Sequence, residues 1–198
     1  MRECRIKYGP KTTKEDIFYY VYGLLHSPDY RSKFAADLKK MLPRIPLVKD
    51  PADFGEFAQA GRELALLYIN YETVPSWPEL KITGIDSGNC QVQKMRFAKT
   101  PDGKPDKTAI IYNSHIKIEN IPLQAYEYII NGRSGIEWIM DRYQIKTDKD
   151  SGIVNNPNIW CKEHGSPRYI LNLLCSIITI SMETIKIIQG LPKIRFEE

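Results

Sequence analysis

The chain has 198 residues, 42% of them hydrophobic and 26% charged, a composition that argues against a disordered tail and supports a sizeable buried core. The formal net charge of +4 does not by itself require nucleic acid. The length excludes a complete ATP-driven motor, or a methyltransferase with its own target-reading module.

The charge is unevenly spread. Residues 1–49 hold 11 basic and five acidic side chains, and residues 50–80 hold one and six. Residues 81–120 hold seven and four, and the remainder is balanced at nine and nine. Two basic segments separated by an acidic one give a one-sided field if folding brings them together, and a solvated mixed-charge surface if it does not. Cys4, Cys90, Cys161 and Cys175 are widely spaced and form no C-x-x-C pair, and the first ten residues do not resemble a signal peptide. The expected compartment is reduced and cytoplasmic.

In chain order, a helix starting near Thr13 puts Ile17, Val21, Leu24 and Leu25 on one face. Ser27-Pro28 and Asp50-Pro51 each place an N-cap oxygen before a proline suited to the first helical position. From Ser27 the positions Tyr30, Phe34, Leu38, Met41 and Leu42 share an apolar face until Pro43. From Asp50, the residues Phe54, Phe57, Ala58, Leu64, Ala65 and Tyr68 predict a long helix to about Tyr71. Residues 81–98 and 107–121 are rich in Ile, Val, Thr and Tyr, and 90–97 alternates in part, which predicts strands. Residues 100–106 (Thr-Pro-Asp-Gly-Lys-Pro-Asp) form a loop between them, and Asn113-Ser114 forms a tighter turn, giving three strands in a meander. Helices are expected over Leu123–Ile130 and Ser134–Tyr143, then a polar loop over Gln144–Asn158.

Ser166-Pro167 opens the last helix, which ends at Gly190 with Pro192 beyond. The apolar run Tyr169–Ile188 has the length of a membrane span. However, Asn172, Ser176, Thr179, Glu183 and Lys186 draw a polar stripe along it, so it reads as a core helix of a soluble protein and no membrane partner is expected. The fold class is α+β, with a helical scaffold at both ends of the chain and a small antiparallel sheet and loops inserted in the middle. One domain is expected, with a helical part over 14–80, the sheet over 81–121, and helices with a polar loop over 122–192.

Several chemistries leave no trace. There is no G-x-x-x-x-G-K-[ST] loop, no G-x-G-x-x-G after a strand and no G-x-S-x-G elbow. Cys161 and His164 form a C-x-x-H pair without a partner pair, and Asp148-x-Asp150-x-Gly152 lacks the terminal glutamate of a calcium loop. No catalytic residue, cofactor or metal is therefore expected. Asn155-Asn156-Pro157-Asn158 approaches the Asn-Pro-Pro-aromatic motif of adenine methyltransferases but lacks the second proline and the aromatic, and reads as a helix-starting loop. Asp86, with Asp102-Gly103-Lys104 downstream, has the residue order of a Mg²⁺ nuclease, although Asp-Gly-Lys is also common in turns.

A recognition surface remains. Lys94, Arg96, Lys99, Lys104 and Lys107 gather on the sheet and its loop, with Gln91, Gln93 and Asn113 nearby. Lys and Arg neutralise phosphates, while Gln, Asn and Arg can pair bidentately with adenine or guanine edges, and a two-stranded ribbon fits a major groove. The same pattern fits a solvated hairpin. A second candidate is the loop with Lys146, Lys149, Asn155 and Asn156, where Asp148 and Asp150 offset the charge. Apolar helical faces docking a protein partner are a further alternative.

Longer motifs point to a family. Residues 15–31 read EDIFYYVYGLLHSPDYR and are followed by Pro43-Arg44-Ile45-Pro46-Leu47, Gly61-Arg62-Glu63-Leu64 and Asn70-Tyr71-Glu72. Residues 126–134 read YEYIINGRS and 137–143 read EWIMDRY, before the 148–156 segment. Over roughly residues 14–192 the chain resembles the C-terminal specificity domain of type ISP restriction-modification enzymes, the predicted-helicase family. The resemblance implies a sequence-specific module for double-stranded DNA without its own catalytic centre. It also implies methyltransferase and helicase domains of the same polypeptide as partners. It transfers no base-contacting residue, and it leaves the aromatic helix starts and Pro-Arg-Ile-Pro as scaffold, with Arg44 open between an ion pair and a phosphate contact.

Overall fold

Helix signals in this chain are local, and most are realised in the computed structural model, which describes residues 2–41, 43–85 and 89–194. The chain divides into two units, Met1–Asn70 with Lys186–Glu198, and Tyr71–Ile185.

The first unit is helical. Helix α1 (Arg2–Tyr8) had no counterpart among the expected elements. Helix α2 (Lys14–His26) starts at a capping box, in which Thr13 and Asp16 satisfy each other's backbone N–H groups. Helix α5 (Pro51–Ile69) follows the Asp50 cap with Pro51 in its first turn, as expected. The helix expected from Ser27 is broken: Phe34 leaves the helical basin (φ −103°, ψ 21°) and separates α3 (Pro28–Lys33) from α4 (Ala35–Lys39). Met41 then adopts φ 57° and is 87% exposed instead of lying on an apolar face, because the chain has already turned out of the helix. Leu42 lies outside the described residues.

A tyrosine-rich core holds this unit. Tyr20, Leu24, Tyr30, Val48, Phe54, Phe57 and Ala58 are its buried members, and the Tyr8 and Tyr20 rings stack on Phe54. The loop through Pro-Arg-Ile-Pro has no ladder partner, so tyrosine hydroxyls satisfy its backbone. Tyr30 donates to the Arg44 carbonyl at 2.7 Å and Tyr8 to that of Val48 at 2.7 Å. Tyr20 donates to the Pro46 carbonyl and accepts from the Val48 N–H. The scaffold reading of these motifs follows from those bonds, and Arg44 itself reaches Asp37 at 3.7 Å.

The second unit builds its core between a small sheet and a long helix. Four strands, β1 (Lys81–Thr83), β2 (Arg96–Lys99), β3 (Pro105–Ile111) and β4 (Lys117–Glu119), pair antiparallel in the order β1-β4-β3-β2. Four strands thus replace the expected three, with β2-β3-β4 as the meander and β1 added beyond β4. The ladder begins only at Arg96, so residues 91–95 are extended without a strand partner. Ile110, Ile116, Ile118, Tyr112 and Val92 face Ile170, Leu171, Leu174 and Ile178 of helix α8 (Tyr169–Gln189).

Helix α8 is long and apolar enough to cross a membrane by length and hydropathy, and 67% of its apolar window is buried. Part of its polar stripe is buried too. Ser176 donates to the Val74 carbonyl at 2.7 Å and Thr179 to that of Pro75 at 2.8 Å, which fixes the segment leading into the sheet.

The expected helix over Leu123–Ile130 is instead a 3-10 turn (Leu123–Tyr126) followed by a hairpin, β5 (Ile129–Ile130) with β6 (Arg133–Ser134). Asn131 and Gly132 both take positive φ (49° and 83°), the turn that matches strand twist, and this local preference overrides the apolar spacing. Helix α6 (Gly135–Arg142) follows a Ser134–Glu137 capping box. The expected polar loop contains a hairpin, β7 (Lys146–Thr147) with β8 (Val154–Asn155), and ends at α7 (Pro157–Glu163).

Candidate nucleic-acid interface

Between Cys90 and Met95 the chain alternates in burial without a β-ladder. Cys90, Val92 and Met95 enter the core, while Gln91, Gln93 and Lys94 are exposed. Backbone carbonyls in such a segment need partners from elsewhere, and five in succession find them. The Asn113 Nδ2 donates to the carbonyls of Asn89 (3.0 Å) and Gln91 (2.9 Å). The Tyr112 hydroxyl donates to that of Cys90 at 3.0 Å, and the Asn158 Nδ2 to that of Val92 at 2.8 Å. The Ile145 N–H donates to the Gln93 carbonyl at 3.0 Å. The outward side chains of Gln91 and Gln93 are therefore carried on an anchored backbone, and Lys94 follows directly after it.

This arrangement corrects one candidate. Asn113 is 5% exposed, and its Oδ1 accepts from the N–H groups of His115 (2.9 Å) and Ile116 (2.7 Å). Its amide is fully used inside the fold and is not available to a base edge.

The basic candidates divide by what their charges already touch. Arg96 and Lys99 are exposed on β2, one of the two edge strands of the sheet. Lys104 sits in the turn after β2 and pairs with Asp102 at 2.8 Å, while Thr100 also bonds Asp102. The Asp-Gly-Lys sequence thus builds its own turn, and these two bonds hold the Asp102 carboxyl below its usual range. Asp86, the other acid of the nuclease alternative, lies outside the described residues. Lys107 reaches Glu137 at 3.0 Å and lies 5.0 Å from the Tyr126 ring centre and 5.7 Å from that of Phe97. Burial pushes the Glu137 carboxyl up, but the Ser134 N–H, Lys107 and the Ser134 hydroxyl outweigh it, so the net displacement is downward. Lys107 is engaged with the fold.

The second candidate patch adjoins the first. Ile145, bonded to Gln93, immediately precedes β7, so the β7–β8 hairpin is rooted on the extended segment. Lys146, Lys149 and Asn155 are exposed on this hairpin, together with Ile153 at 69%. At its tip the Asp148 carboxylate accepts from the N–H groups of Asp150 and Ser151 and from the Ser151 hydroxyl, which closes the turn. Asn156 is half-buried and caps α7, its Oδ1 accepting from the Asn158 N–H at 3.1 Å.

Other basic and aromatic groups of this unit were not selected from sequence. The guanidinium groups of Arg133 and Arg142 lie 5.3 and 5.4 Å from the Trp138 ring centre. Arg133 also bonds Asp141 at 3.3 Å. The signal available was Asn131-Gly132-Arg133, a turn followed by a cation. Beside Gln91 a cleft of about 430 Å³ opens against α7, lined in part by Asn89, Cys90, Asn158, Cys161 and Lys162. Burial raises the Cys161 thiol, and His164 stacks on Trp160 at 4.2 Å, so both members of the C-x-x-H pair are used locally.

Residues 1–173 match the model of the Type ISP C-terminal specificity domain. Among solved structures, the chain is similar to a nuclease-deletion mutant of the Type ISP restriction-modification enzyme LlaGI in complex with a DNA substrate mimic. The identity is 46% and the TM-score 0.82, over 93% of this chain and 14% of that one. It is similar to the ATP-dependent Type ISP restriction-modification enzyme LlaBIII bound to DNA, at 42% identity and TM-score 0.85, over 100% of this chain and 12% of that one. It is also similar to DrdV in a DNA complex, at 30% identity and TM-score 0.76, over 96% and 19%. No curated protein matches. The chain spans less than a fifth of the length of these structural relatives. The α+β fold, the ordered motifs and these matches agree: the chain belongs to the Type ISP C-terminal specificity domain family.

Proposed function

We propose that the chain reads the DNA sequence for a Type ISP restriction-modification enzyme, in the cytoplasm, as one recognition domain. It contributes no catalytic centre, and it positions methyltransferase and helicase domains of the same polypeptide on double-stranded DNA. The observation that carries this reading is the continuous edge formed by Gln91, Gln93, Lys94, Arg96 and Lys99 with the hairpin rooted on Gln93. Amides on a backbone held at five successive carbonyls suit base edges, and the flanking cations suit phosphates. The three DNA-bound structural relatives support the same reading.

Selection of duplexes from a random pool by the purified chain tests it. Enrichment of one sequence, with affinity falling steeply as salt rises, is the expected result. Binding that is independent of both sequence and salt refutes it.

A further inference from the structure

The Asn156-Pro157-Asn158 triplet resembles a broken methyltransferase motif, yet its three residues make a specific device. The Asn158 side chain treats Val92 as a neighbouring β-strand would: its Oδ1 accepts from the Val92 N–H at 2.8 Å and its Nδ2 donates to the Val92 carbonyl at 2.8 Å. Only this orientation of the amide works, since reversing it would set donor against donor and acceptor against acceptor. Asn156 enforces the orientation, because its Oδ1 accepts a second bond from the Asn158 Nδ2 at 2.9 Å. Pro157 stands between them in the first turn of α7, with φ fixed and no N–H of its own to satisfy.

We infer that Asn158, oriented by Asn156, is a positioning residue for base readout, setting the placement of Gln91 and Gln93 through Val92. This rests on the recognition reading above. Val92 is fully buried, and in an extended chain its two neighbours project to the side opposite its own. A clamp on Val92 therefore aims both glutamines at once. Bidentate pairing of an amide with adenine tolerates displacement of only a few tenths of an ångström. A real strand at this place would cover several residues of the edge, whereas one side-chain amide covers Val92 alone. The clamp also spans 66 residues of sequence and ties α7 to the reading segment.

The test uses the purified 198-residue chain, the duplex it selects from a random pool, and a scrambled duplex of the same composition. Asn158→Ala removes the clamp. Asn158→Asp keeps its size and its acceptor but faces an oxygen to the Val92 carbonyl. In both variants the ratio of affinities for selected over scrambled duplex falls about ten- to a hundredfold, the loss expected when one or two base contacts are misplaced. Affinity for the scrambled duplex and the salt dependence stay at the wild-type values, and the Val92 amide exchanges hydrogen faster. A folded variant that keeps the wild-type ratio, or that loses affinity for both duplexes equally, overturns the inference. Global unfolding of both variants overturns it too, by assigning the clamp to stability alone. A wild-type chain that selects no sequence fails earlier and overturns the recognition reading itself.

Discussion

Gly23 and Gly61 meet where α2 crosses α5, so closely that a Cβ on Gly61 would lie 2.8 Å from the Gly23 nitrogen and would overlap the Tyr19 carbonyl oxygen. The two helices touch through backbone, and the only residue that permits this has no side chain. Gly61→Ala must push them apart and disturb the tyrosine core beside them. The expected cost is about 1–3 kcal/mol, the usual penalty of overpacking, read as a lower urea midpoint. Gly55→Ala is the control on the same helix, because a Cβ there meets nothing within 4 Å.

Tyr20 makes the first unit sensitive to alkali. Burial pushes its hydroxyl up to about 12, against the opposing effect of the Val48 N–H. The folded value exceeds the unfolded one, so the associated stability is complete below about pH 10 and is lost as pH rises toward 12. Urea midpoints should fall over that interval. Tyr20→Phe should lower the neutral-pH midpoint and flatten the alkaline decline, since the group that ionises on unfolding is gone.

Salt dependence separates the lysines. Removing one cation that neutralises a phosphate should reduce the slope of log affinity against log salt by about 0.9. Alanine at Lys94, Arg96 or Lys99 is expected to show this reduction in fluorescence anisotropy titrations. Lys107→Ala should leave the slope unchanged, since its ammonium is already placed against Glu137 and two aromatic rings. Its effect should appear as a loss of about 1 kcal/mol or less in stability.

Asn113→Ala strands the carbonyls of Asn89 and Gln91 and the N–H groups of His115 and Ile116. A cost on the order of 3 kcal/mol follows from leaving such groups without partners. Denaturant unfolding measures it. A variant with wild-type stability would show that the amide is spare and could belong to the readout after all.

What could be read from sequence follows from the range of the forces involved. Asp50-Pro51 and Gly190 announce helix ends because caps act within one turn, and the structure places α5 and α8 accordingly. The hairpin at Asn131-Gly132 was equally local, but the apolar residues of 123–130 suggested a helix and outweighed it. The alternation at 90–97 predicted a strand, but the ladder begins only at Arg96. The hydrogen-bond partners of the segment before it, Asn113 and Asn158, lie 22 and 66 residues away, and no periodicity reports such distances. For the same reason the two candidate patches looked separate. The bond from Ile145 to Gln93 joins them.

The five anchored carbonyls also bear on how such a domain changes its target. Among the described residues, the fold makes no hydrogen bond or ion pair with the side chains of Gln91, Gln93 or Lys94, while it holds the backbone carbonyls of residues 89–93 one after another. On the recognition reading proposed above, replacing these three side chains would alter what is presented to a duplex and leave the anchors intact. New sequence preferences can then arise by substitution at a few exposed positions, at little cost to stability. On that reading the same three positions would be the place to retarget the domain by design.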